Sequence, residues 1–169
     1  MILAGTVFAG LGTTYAEQKT GRGCTAADLL GTWDMVGMNS RVTSKDNKDP
    51  FLWPYQHFSF DAKGHVKQMS LEHSILSDKA ALQKFENTLS TTRYSVNGQG
   101  LLSFARFESP NPEKCFCTYV TQDFPASVTA KVPESKKALL PRKGDVVLSY
   151  LDKDRKPLLS KTLRKSSQN

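Results

Sequence analysis

Along most of this chain apolar and polar side chains alternate with a period of two. The alternation comes in short runs punctuated by Gly, Asn, Asp and Pro, which excludes helical bundles and parallel α/β folds. Residues 31–38 read Gly-Thr-Trp-Asp-Met-Val-Gly-Met, a first strand, and the polar, charged residues 39–50 form a long exposed loop. Two further strands, 55–60 and 65–71, flank Asp61-Ala62-Lys63-Gly64. Asp at the first and Gly at the fourth position suit a type I turn with a glycine bulge, which predicts pairing of Phe60 with Val66. Strands at 91–96 and 101–107 are joined by Asn97-Gly98-Gln99-Gly100, and another strand covers 114–121. A basic connector with three prolines fills 123–145, before a last hairpin of 146–151 and 158–165 around residues 152–157. One helix interrupts the series at 78–89, with Ser77 as its cap and Leu82, Phe85 and Leu89 along one side.

Eight strands linked mainly to their sequence neighbours make an antiparallel meander. Closing it removes both exposed edges, so the expected fold is an all-β, eight-stranded, up-and-down barrel with one α-helix between strands 3 and 4. A β-sandwich or a half-open barrel packed on the helix is the competing architecture. At 169 residues the chain can bury a core without support from a metal. An eight-stranded interior is either filled by side chains or holds one small ligand.

Leu29-Leu30-Gly31-Thr32-Trp33 opens the first strand with a Gly-x-Trp, and Arg164 lies at the end of the last. This arrangement resembles the lipocalin and lipocalin-like (calycin) barrels. The resemblance implies that Trp33 plugs the closed end while Arg164 packs across its ring. Thr121-Gln122-Asp123-Phe124 is similar to a degenerate form of that family's second motif. The helix position and the long connector depart from the classical family pattern. With Trp33 inward, alternation places Met35 and Gly37 on the same face. The same rule puts Phe58, Phe60, Val66, Phe107, Tyr119 and Tyr150 inside. Trp53 stands at the open end, where the family's first loop acts as a lid. The function implied is non-catalytic binding of a small apolar or amphipathic molecule lined by Met35, Trp53, Phe58, Phe60, Phe107, Tyr119 and Tyr150, with Tyr119 or Tyr150 orienting it.

Residues 1–16 carry no charge and end in Thr14-Tyr15-Ala16, which reads as a signal peptide without its basic region; a buried first element is the alternative. The domain then spans 17–169, in the periplasm or outside the cell. An oxidising compartment permits a disulfide from Cys24 to either Cys115 or Cys117, which share one strand face, leaving one thiol over. The histidines His57, His65 and His73 lie far from any cysteine pair and read as surface or rim residues, so no metal site is expected. No cofactor motif or nucleophile motif is found, and no apolar run is long enough to span a bilayer. Residues 131–165 hold eleven Lys or Arg against four Asp or Glu, which accounts for the whole net charge of +7. Such a segment suits an acidic partner or an anionic surface, and no nucleic-acid module accompanies it. The second functional reading is therefore a periplasmic inhibitor or accessory subunit that docks an acidic partner through its basic C-terminal hairpin.

Overall fold

The structure, a computed structural model, describes residues 20–41, 52–106, 113–152, 154 and 156–166. The leader expected at 1–16 and Phe107 lie outside these residues. Among the described residues nine strands form: β1 (Gly21–Gly23), β2 (Gly31–Ser40), β3 (Tyr55–Phe60), β4 (His65–Leu71), β5 (Thr92–Val96), β6 (Leu101–Arg106), β7 (Glu113–Val120), β8 (Val146–Leu151) and β9 (Pro157–Lys165). From β2 onward each strand pairs antiparallel with the next, and β9 returns to β2, so eight strands close into a barrel. The short β1, whose Gly-Arg-Gly carries no strand signal, lies outside the ring against β7. Among the described residues four helices decorate the barrel: α1 (Ala26–Leu29), α2 (Lys79–Asn87), α3 (Ala126–Thr129) and α4 (Glu134–Lys137), with a 3-10 turn at Ile75–Ser77. The last two helices fall within the basic connector.

Three hairpin turns share one device. The side-chain oxygens of Asp61, Asn97 and Asp152 each accept from the backbone N–H groups two and four residues ahead, at 2.8 to 3.0 Å. This local bonding fixes the register, and Phe60 pairs with Val66 as the turn residues predict.

One end is sealed. Trp33 is 1% exposed, and its Nε1 donates to the Leu29 carbonyl at 2.6 Å, tying the plug to α1. Cys24 bonds to Cys117, 93 residues away, and a backbone bond from Cys24 N to Cys117 O accompanies it. The pairing of Gly23 with Thr118 brings Cys24 beside Cys117, which settles the choice the sequence leaves open. Gly100 is required here: its φ is +78°, and a Cβ would stand 2.6 Å from the Cys117 carbonyl.

The cation over Trp33 is Lys165, 4.4 Å from the ring centroid, and not Arg164. Register explains the correction. Trp33 lies opposite Lys165, so Arg164 lies opposite Asp34 on the outer face. There its guanidinium forms two bonds to the buried Asp145 carboxylate, at 3.0 and 2.7 Å. Gly31 makes room for the lysine: a Cβ would meet Lys165 Nζ at 2.9 Å, and φ is +101°.

A bulge at Val36 also overturns the simple alternation along β2, because Met35 pairs with Leu163 while Gly37 pairs with the adjacent Thr162. Gly37 therefore faces outward, toward Leu139 in the connector, and Met38 takes the inward position. Outside the wall, α2 is capped by Asp78, whose Oδ1 accepts from Ala81 N at 2.9 Å, where the sequence predicts Ser77. Only Phe85 of this helix is buried. Leu89 follows the helix end and is 88% exposed, not on the packed side.

Candidate functional site

The interior is graded from apolar to polar. Near the sealed end Trp33, Met35, Phe58, Phe60, Leu102, Leu148 and Leu163 pack together. Toward the other end the inward positions change chemistry. Leu159, Lys161 and Leu163 alternate inward on β9, so Lys161 lies inside the barrel, fully buried. Its Nζ donates to Gln56 Oε1 at 2.9 Å and lies 5.5 Å from the centroid of the Tyr150 ring. Gln68, opposite Phe58 and hence also inward, donates to the same Gln56 oxygen at 3.4 Å. Glu113, opposite Phe104, faces this group from β7.

Burial raises the Tyr150 phenol above its ordinary value, and the neighbouring Cys115 and Glu113 add to that. The free, buried Cys115 is pushed up to about 12, first of all by burial. A thiol in that state is protonated at neutral pH, the opposite of what a nucleophile requires. The arrangement sets hydrogen-bond donors, a lysine and the Glu113 carboxylate close together inside the barrel. Beside it Met38, opposite Lys161, is 37% exposed, and Gln68 is exposed as well.

The residues named from the sequence divide between the two ends. Tyr150 belongs to the polar group. Met35, Phe58 and Phe60 are buried in the apolar half. Tyr119 is only partly buried and sits at the sealed end, with Arg22 4.9 Å from its ring centroid. Trp53 is half-buried, and its carbonyl accepts from Gln56 Nε2 at 3.2 Å, while its neighbour Leu52 enters the core. Lys161 and Gln56 were not legible, because a lysine or glutamine in a strand reads as outward-facing. Much of the charge of the C-terminal hairpin is turned into the fold: Lys161 lies inside, Lys165 over Trp33 and Arg164 on Asp145.

A second group lies on the outer wall. His57 is buried, not a rim residue, because Phe85 of α2 covers it edge-on at 4.7 Å. Its Nδ1 meets Asp34 Oδ1 at 2.6 Å. Burial is the largest single influence on Asp34 and acts to raise its pKa, but His57 and Ser166 together outweigh it and leave the group below the ordinary carboxylate value. A groove of about 290 Å³ runs beside this pair, lined also by Tyr55, Met69, Ile75 and Arg164. His57 Nε2 is buried without a hydrogen-bond partner, and the pair joins β2 to β3 beneath Phe85 of α2.

Among the described residues no cluster of three or more His, Cys, Asp or Glu is placed to hold a metal, and no helix is long and apolar enough to cross a membrane. The class that fold and site define is a closed eight-stranded antiparallel barrel with one plugged end and a polar group inside the other. No family model, curated protein or solved structure matches the chain.

Proposed function

We propose that this chain is an exported, lipocalin-like binding protein that holds a small amphipathic molecule at the open end of the barrel, polar group down, without chemical change. The observation that carries the reading is Lys161, fully buried inside a barrel whose other half is apolar. Taking a lysine out of water costs several kcal/mol unless partners compensate, and an apolar residue of similar size is the more stable choice for filling space. Lys161 has partners within the fold, Gln56 and Tyr150 among them, and exchange of one such contact for a carboxylate or another acceptor on a ligand fits a site in which Gln56 and Tyr150 fix orientation. Trp33 under a terminal-strand cation supports the lipocalin-like assignment, and the Cys24–Cys117 disulfide supports an oxidising compartment.

The test is fluorescence titration with a dansyl-labelled long-chain carboxylic acid. Wild type is expected to enhance the probe fluorescence saturably, and Lys161→Met to bind it about tenfold more weakly while remaining folded. Equal affinity in the two proteins, or no binding to wild type, would refute the proposal.

A further inference from the structure

The +7 excess of this chain lies in residues 131–165, yet Arg164, Lys165 and Lys161 are occupied within the fold. The connector carries much of what remains. Lys131, Lys136, Arg142 and Lys143 are exposed there and Lys137 is half-buried. The acidic residues of the same stretch are largely engaged. Asp145 is buried on Arg164, Asp123 accepts from Lys143 N at 2.8 Å, and Glu134 pairs with Lys137 at 2.6 Å. The last pair is exposed and can exchange partners at little cost.

Between these cations lies a pocket of about 270 Å³, lined by Phe124, Thr129, Leu140 and Pro141, with Lys137, Arg142 and the single carboxylate of Asp123 around them. Val128 and Leu139 are exposed on the same connector, at 44% and 50%. A small apolar depression with a basic rim has the anatomy of a protein docking site, in which one anchor side chain is buried and surrounding charges set the partner. Its volume falls below that of most drug-sized ligand sites. Phe124, Leu140 and Pro141, its apolar lining, are half-buried.

We propose that the connector pocket docks an acidic segment of a partner protein. An apolar side chain of that segment enters between Phe124, Leu140 and Pro141, and flanking carboxylates meet Lys137 and Arg142. The site lies on the outer wall, away from Lys161, and stands independently of any ligand in the barrel. The partner-docking role expected for the C-terminal hairpin thereby moves to the connector before it.

Fluorescence anisotropy of the full chain with a short fluorescein-labelled glutamate peptide carrying one central leucine tests this. Wild type is expected to bind at low salt, with affinity falling steeply from about 50 to about 200 mM. The variant K137E/R142E, both on the surface and checked for an unchanged melting temperature, is expected to bind about tenfold more weakly, and the peptide with glycine for leucine about fivefold more weakly. No binding to wild type, equal binding by the variant, or equal binding of the glycine peptide would overturn the proposal. So would tighter association of wild type with phosphatidylglycerol vesicles than with the leucine peptide.

Discussion

The two ends of the barrel are built on opposite principles. At the sealed end every device adds stability: Trp33 is bonded to Leu29 and covered by Lys165, and a disulfide joins the leading segment to β7. At the other end the same eight strands enclose Lys161, Gln56 and Tyr150, a polar set of the kind that apolar residues often replace without loss. The contrast teaches that the fold draws its stability from one end and leaves the other free to carry polar groups.

The largest expected effect comes from removing the plug. Trp33→Ala deletes a fully buried indole and its hydrogen bond, and should lower unfolding free energy by about 3–5 kcal/mol in urea titrations. A loss under about 1 kcal/mol would break the contrast. Replacing Cys24 and Cys117 together by serine should destabilise by about 2–5 kcal/mol, measured the same way, since the crosslink spans 93 residues.

Lys161→Met should behave differently. Its stability is expected to stay level or rise by about 1 kcal/mol, while binding of an amphipathic acid is lost. A strong destabilisation would make Lys161 a structural residue like those at the sealed end.

Acid should act on the sealed end through Asp28. The bond from Arg22, with those from Thr25, holds the Asp28 carboxyl far below its ordinary 3.8 in the folded chain. The unfolded chain therefore binds a proton there that the folded chain refuses, so the stabilisation is complete above about 4 and is lost as pH falls below that value. Asp28→Asn should flatten the acid limb of a stability-against-pH curve, whereas Lys161→Met should not.

The smallest effect belongs to Leu89→Ser. With the side chain 88% exposed beyond the end of α2, melting should shift by no more than about 0.5 kcal/mol allows.

Strands and turns were readable because both are local. Period-two alternation marks a half-buried strand, and Asp61-x-x-Gly64 or Asn97-x-x-Gly100 fixes a hairpin through bonds within five residues. What escaped depends on partners far along the chain. The bulge at Val36 leaves no compositional mark, yet it turns Gly37 outward and Met38 inward. Whether Arg164 or Lys165 covers Trp33 depends on a single step of register. His57 looks like a surface histidine until α2, from beyond the next strand, lays Phe85 across it. The candidate site was half legible: Tyr150 was identified by alternation, while Lys161 and Gln56 were hidden by their polarity.

The most direct measurement is a two-dimensional amide NMR titration of the isotope-labelled protein with dodecanoic acid. The account expects saturable shifts concentrated at Gln56, Gln68, Cys115, Tyr150 and Lys161, with the amides of Leu29 and Trp33 unmoved. Shifts confined to the outer groove around Asp34 and His57, or none at all, would contradict it.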